Sequence, residues 1–253
     1  MRTIAIVNQK GGIGKTTTAI NIADALRHKN KKVLFLDLDP QCNSTGSFKA
    51  QIDGVATISD VFNDEVKPED AIQSCEMGDI IAGDPLLSKD ESRYQSTMSG
   101  YNKAKKICKS LADKYDFCVI DTPPNKGVYM INALNAADEA IIPIQADNYA
   151  IEGLTNILPT IKDVQENANE KLQISGVLLT RYDARMSLDK ETREQLPAIC
   201  KAIGLPLFDV VIRTDQTIKD AQAAKVSLFD AAPKSKGAID YNSLVEKLLK
   251  KKA

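Results

Sequence analysis

The chain has 253 residues, 43% of them hydrophobic and 26% charged, with a formal net charge of −1. That composition suits a soluble globular protein and excludes a fibre or a disordered tail, while the absence of an 18-residue apolar run excludes a simple membrane-spanning helix. Its five cysteines, Cys42, Cys75, Cys108, Cys118 and Cys200, form no CxxC pair and accompany a single histidine, which argues against a disulfide framework, a structural zinc or a paired-cysteine cluster.

The first twelve residues pass from a short apolar run into a glycine loop instead of a signal segment, so a cytoplasmic location is expected. Apolar runs and helical periods then alternate. A strand near Thr3–Asn8 leads to a helix near Thr16–His28, and a strand over Lys32–Leu38 follows. The stretch from Gly83 to Gly100 reads as a surface excursion. Beyond it come a helix near Asn102–Lys114, a strand over Phe117–Ile120, a helix near Val128–Ala137 and a strand over Ala140–Ile144. A helix over Ile151–Asn167, a strand over Ile174–Thr180, a helix over Leu188–Ile203, a strand over Leu207–Ile212 and a closing helix over Tyr241–Leu249 complete the pattern. The expected fold is α/β: one domain over residues 1–253, built on a doubly wound, mostly parallel sheet with helices on both faces, of the phosphate-loop NTPase type. Cys108 and Cys118 lie in apolar surroundings and are expected to be small core residues. His28 is expected to be half-exposed at a helix C-terminus.

In such sheets ligands bind at the carboxyl ends of the strands, and three motifs sit there. The segment Gln9-Lys10-Gly11-Gly12-Ile13-Gly14-Lys15-Thr16-Thr17 follows the first strand and opens a helix. Its glycines allow successive N–H groups to converge on phosphate oxygens, and the helix N-terminus adds a favourable dipole. Lys15 is placed to reach the β- and γ-phosphates, and the Thr16 hydroxyl to ligate Mg²⁺. The general phosphate-loop pattern has glycine where this chain has Gln9, and this chain gains a second lysine, Lys10. Two ammonium groups about 6 Å apart repel by roughly 3 kcal/mol at an effective dielectric of about 20, so the loop calls for a polyanion.

Asp37 and Asp39 alternate at the end of an apolar strand and so share one face. Two carboxylates that close need a cation or donors nearby, as a Mg²⁺–phosphate site provides. Asp121 ends the run Phe117–Ile120 ahead of Thr122-Pro123-Pro124, the position of a Walker B aspartate acting on Mg²⁺.

The runs KGGIGKTTTAINIADAL, VLFLDLDPQ and CVIDTPP resemble, in the same order, the three motifs of the ParA/MinD deviant-Walker ATPases, and are closest to small Soj-like partition ATPases. The resemblance implies ATP and Mg²⁺ as cofactors and an ATP-dependent homodimer in which Lys10 contacts the partner's nucleotide. It makes Lys10, Lys15, Asp39 and Asp121 the catalytic set, with Asp39 positioning the attacking water and Asp37 in support. Thr16, Asp39 and Asp121 would face the metal. Lys10, Gly11, Gly12, Ile13, Gly14, Lys15, Thr16 and Thr17 would hold the phosphates, and Arg181 and Arg213 would lie near the base, within Leu179–Asp183 and Ile212-Arg213-Thr214. The implied partners are non-specific DNA and a ParB-like centromere-binding protein, with a nucleoid-associated cytoplasmic location.

Charge is distributed to match. Residues 200–253 hold ten Lys/Arg against six Asp/Glu, a net +4, and the first 199 residues hold 23 against 28, a net −5. Arg185, Arg213, Lys219, Lys225, Lys234 and Lys236 are the candidate DNA contacts, suited to phosphates and lacking a base-reading motif. The alternative is a MinD-like ATPase that positions membrane or protein cargo. Its amphipathic helix would be Tyr241, Leu244, Val245, Leu248 and Leu249 ahead of Lys250-Lys251-Lys252, a stripe that core packing accounts for better. No membrane partner is therefore expected.

Overall fold

The computed structural model of the chain describes residues 1–147 and 150–250. Among them, seven strands form one sheet in the order β3-β4-β2-β5-β1-β6-β7. They are β1 (Arg2–Ile6), β2 (Val33–Asp37), β3 (Ile72–Cys75), β4 (Gly78–Ile81), β5 (Phe117–Asp121), β6 (Glu139–Gln145) and β7 (Gln173–Thr180). Every neighbouring pair is parallel except β3 and β4, an antiparallel hairpin at one edge.

The central strands read as continuous apolar runs because both faces are covered, as parallel sheets require. Leu34, Leu36, Cys118 and Ile120 point into one core with α3 (Ile58–Phe62), α4 (Leu87–Gln95), α5 (Lys103–Ser110), α6 (Val128–Ala136), α7 (Ala150–Asn167) and α8 (Ser187–Ala202). Phe35, Val119, Ile4 and Ile6 point into the other, with α1 (Lys15–His28), α2 (Asn43–Phe48), α9 (Gln216–Ala224), α10 (Leu228–Ala231) and α11 (Lys236–Lys250). Cys108 and Cys118 are buried as expected, their sulfurs 3.9 Å apart. His28 ends α1 half-exposed, beside Asp24 and Asp230. No helix of the described residues is long and apolar enough to cross a membrane.

Several expected elements change. The segment Leu207–Ile212 is not a strand. It pairs with β7 at its two ends, where Val177 N–H donates to Pro206 O (2.8 Å) and Ile212 N–H to Leu179 O (2.8 Å), but a bend at Asp209 interrupts the ladder between them. The Gly83–Gly100 stretch is more than a surface excursion. It carries α4, whose Leu87 and Tyr94 are buried in the core, Tyr94 stacking edge-on to Phe62. A 3-10 turn over Met98–Asn102 precedes α5, which stops at Ser110. The closing helix starts five residues before Tyr241, at Lys236. Tyr241, Leu244, Val245 and Leu248 pack against α1, and the Tyr241 hydroxyl lies 3.3 Å from that of Thr18. Of the flanking residues, Lys251 and Lys252 lie outside the described residues, as does the side chain of Ile151 at the start of α7.

Leu36 is fully buried on the central strand β2, so Leu36→Ala is expected to destabilise the fold by about 2–5 kcal/mol through lost transfer energy and a residual cavity. A lower urea midpoint at unchanged m-value would show this, and an unaltered midpoint would contradict it.

Candidate active site

The register of β1, β5 and β2 places Ile6 beside Asp121 and Asp121 beside Asp37, so the phosphate loop and both acidic motifs emerge at one edge of three adjacent strands. The loop turns through Gly12 (φ 76°) and Gly14 (φ 87°), a left-handed region that side chains disfavour. Gly14 is also the N-cap of α1, which has no side-chain cap and no acid in its first turn, leaving its amides open to an anion. Asn8 braces the loop, accepting from Lys10 N–H (3.0 Å) and donating to Pro143 O (2.8 Å). The Thr180 hydroxyl at the end of β7 sits 2.7 Å from Ile13 O and 2.9 Å from Ile144 O, tying the loop to the end of β7 as well.

Lys15 is buried and its ammonium donates to Lys10 O (2.8 Å). Burial pushes its pKa down, opposed by the charges of Asp121 and Asp39. Lys10 forms an ion pair with Asp147, beyond β6, and does not line the cavity above the loop. That cavity, about 440 Å³, is bordered by Gly11, Gly12, Lys15, Thr16, Asp39 and Pro124, with Asn43 and Arg181 at its sides.

Asp121 is fully buried. Its carboxylate accepts from Ser44 Oγ (2.7 Å) and Thr122 N–H (3.0 Å), and the Thr16 hydroxyl also bonds it. Asp37, equally buried, accepts from Thr45 N–H (2.9 Å), Thr45 Oγ (2.7 Å) and Asp39 N–H (3.1 Å). These bonds to Thr45 and to the Asp39 N–H let Asp37 brace the turn that carries Asp39 to the open site. Gly83 allows this, because a Cβ there would lie 2.9 Å from Asp37 Cγ. Asp39 accepts from Gln41 N–H (3.0 Å) and borders the cavity.

Of the expected catalytic set, Lys15, Asp39 and Asp121 are therefore brought together around the loop glycines, with Thr16 of the expected metal set beside them, while Lys10 stands apart, paired with Asp147. Glycine-loop amides and the Lys15 ammonium suit a polyphosphate; the Thr16 hydroxyl and the Asp121 and Asp39 carboxylates are oxygen donors of the kind Mg²⁺ takes.

A second cavity of about 310 Å³ adjoins the first, sharing Gly14, Thr17, Arg181 and Gln222 with it, and contains Arg213, Lys219 and Tyr241. Arg181 adopts a left-handed backbone (φ 53°) and stands between the two. Arg213 also borders this cavity, but its guanidinium is held bidentate by Asp240 (2.7 and 2.9 Å). Arg185, with its side chain 87% exposed, is chelated by Asp183. Lys219, Lys225, Lys234 and Lys236 are exposed.

Sequence reasoning missed Ser44 and Thr45, whose signal was a Ser-Thr pair three residues past Asp-Pro-Gln at the start of a short helix. It also missed Gln222, which donates to Thr17 Oγ (2.9 Å) from α9, a contact across 205 residues with no local signature.

Burial and mutual repulsion push Asp37 up to about 7, and burial pushes Asp121 up to about 6. Folded carboxyls with raised pKa hold protons that the unfolded chain has released, so stability of the metal- and nucleotide-free protein falls as pH rises from about 4 to 7. Asp37→Asn should flatten that decline by up to about 1.4 kcal/mol per pH unit, measured by urea unfolding across this range. An unchanged slope would contradict the assignment.

Comparison with known proteins agrees with this geometry. A family profile described as AAA domain matches residues 1–174. The sporulation initiation inhibitor protein Soj of Bacillus subtilis is 35% identical over 250 residues, 97% of this chain and 97% of its own. The chromosome partitioning protein ParA of Caulobacter vibrioides is 34% identical, covering 98% of this chain and 94% of its own. The septum site-determining protein MinD of Pyrococcus horikoshii, solved with Mg-ADP, superposes with a TM-score of 0.80 at 28% identity, over 98% of this chain and 96% of that one. The chain carries the AAA domain and belongs to the Soj/ParA family.

Proposed function

We propose that the chain, as one domain, is a cytoplasmic Mg²⁺-dependent partition ATPase that dimerises on ATP, binds DNA without sequence preference and is discharged by a ParB-like partner at a centromere-like site. The observation that carries the reading is the convergence of Lys15, Thr16, Asp39 and Asp121 around a glycine loop at three adjacent strand ends. Phosphoryl transfer asks a protein mainly for positioning and charge stabilisation. Loop amides and Lys15 would stabilise charge on the transferred phosphoryl group, Thr16 and Asp121 would hold Mg²⁺, and Asp39, at the cavity wall, would orient water. The adjoining cavity by Arg181 would take the base and ribose. The placement of Lys10 outside its own chain's phosphate cavity supports a role toward a partner's nucleotide.

For DNA, the exposed Lys219, Lys225, Lys234 and Lys236 carry most of the proposal, since Arg185 and Arg213 each already satisfy a carboxylate. ATP-driven pairing of two chains would double this basic surface. The membrane-positioning alternative gains nothing from α11, whose apolar stripe is buried against α1.

Two measurements test the reading. Lys15→Ala should lose nucleotide binding, whereas Asp39→Ala should still bind ATP and hydrolyse it about 100-fold or more slowly. Equal hydrolysis by wild type and Asp39→Ala would remove Asp39 from catalysis. Binding to non-specific duplex DNA should require ATP, fail for Lys10→Ala, and weaken with salt by about 0.9 in log–log slope per phosphate contacted. An ATP dimer that binds no DNA at any salt concentration would overturn the DNA part and favour membrane or protein cargo.

A further inference from the structure

At the opposite end of the sheet from the phosphate loop lies a cavity of about 380 Å³. It opens where the C-terminal turn of α1, the start of β2, the end of α2, the β3–β4 turn and the loop before β5 meet. Its floor is apolar: Ala23, Phe35, Phe48 and Met77, each under a tenth exposed, with Phe35 and Phe48 rings 4.9 Å apart. Its rim is cationic, formed by Lys32, Lys114 and Arg27.

These cations differ in their commitments. The Arg27 guanidinium is held by Asp24 (2.9 Å) and Asp230 (3.3 Å), so mainly its aliphatic stem faces the cavity. Among the described residues Lys32 and Lys114 enter no salt bridge, leaving two exposed ammonium groups over an apolar floor. The acid at the rim, Asp79, accepts from Tyr115 Oη (2.8 Å) and Ser74 Oγ (2.7 Å), neutral donors that leave its charge in place, so the two lysines keep the rim positive against one carboxylate. The volume sits at the small end of ligand pockets, which suits a compact molecule better than a peptide.

The cavity is also wired to the buried carboxylates Asp121 and Asp37 through α2. This six-residue helix begins against them, with Ser44 bonding Asp121 and Thr45 bonding Asp37, and ends in Phe48, whose ring forms the cavity floor. An occupant pressing on Phe48 acts on a rigid single-and-a-half turn whose other end holds Asp121.

We propose that this cavity is an effector site for a small molecule with an apolar ring body and one anionic group, the ring seated on Phe48 and Met77 and the anion between Lys32 and Lys114, coupled through α2 to the nucleotide site. The coupling is reciprocal, so ATP and the effector change each other's affinity by the same factor.

The test uses the full chain and 8-anilinonaphthalene-1-sulfonate as the probe, followed by fluorescence with and without ATP. One saturable site is expected, with an affinity that ATP shifts several-fold to a finite limit. Lys32→Glu combined with Lys114→Glu reverses the rim charge at exposed positions and should weaken probe binding at least 10-fold while leaving ATP affinity measured without probe unchanged. Ala23→Met, which fills the cavity from α1, should weaken it too and serves should the double variant not fold. Non-saturable binding, or equal binding by wild type and the variants, would overturn the site. Displacement to zero by rising ATP would place the probe in the nucleotide cleft and overturn the proposal, and an affinity indifferent to ATP would overturn the coupling.

Discussion

Two carboxylates, Asp37 and Asp121, stand side by side in the fully buried ends of neighbouring strands, and much of the site can be read as the answer to that electrostatic problem. Burying a charge without partners is prohibitive, so each must be bonded or protonated. Ser44, Thr45, Thr16 and the turn amides supply the bonds, and α2 exists where it does to deliver two of them. The Lys15 ammonium completes the balance, its own burial tolerable because Asp121 and Asp39 stand nearby. A cation and a polyphosphate would complement both halves of this arrangement at once: Asp121 and Asp39 would face the metal, and the phosphates would meet the lysine and the loop amides.

The same arrangement separates two aspartates that the chain spells almost identically. The alternation in the sequence puts Asp37 and Asp39 on one strand face, but β2 ends at Asp37: that carboxylate is bonded by Thr45 and lies beneath Gly83, while Asp39, on the turn beyond, borders the open cavity. In the proposed reaction Asp39 would take the chemistry, because three of the bonds that Asp37 accepts, two from Thr45 and one from the Asp39 N–H, already commit it to the turn. Asp37 and Asp39 are two residues apart, so small shifts of the turn between them act directly on the position of Asp39.

How much of this was legible in the chain follows from range. The loop glycines, Lys15, Thr16, Asp39 and Asp121 were legible because each motif is contiguous and directly follows an apolar strand, and parallel sheets put strand ends together. Ser44 and Thr45 were only half legible, since a hydroxyl pair in a polar stretch reads equally as a loop. Gln222 and Thr180 reach the loop across more than 160 residues and leave no local trace. The hairpin of β3 and β4 went unread because Ile72–Cys75 and Gly78–Ile81 are four residues each and half polar. The segment from Leu207 to Ile212 misled in the other direction: its apolar run has strand character, but the bend at Asp209 confines pairing to the two ends.

That interrupted segment has a consequence for the sheet as a whole. An open sheet presents unpaired backbone at both flanks, and such flanks recruit strands from other molecules. Here the outer side of β7 is met by the chain's own Pro206, Phe208 and Ile212. The far flank, β3, is four residues long, and its Gln73 side chain clasps the backbone of Gln51 on both N–H and C=O. With β7 met by its own chain and β3 short, edge-to-edge strand addition is disfavoured, and the pairing of two chains proposed above would run through side chains and bound ligand, contacts that can be made and released instead of growing without limit.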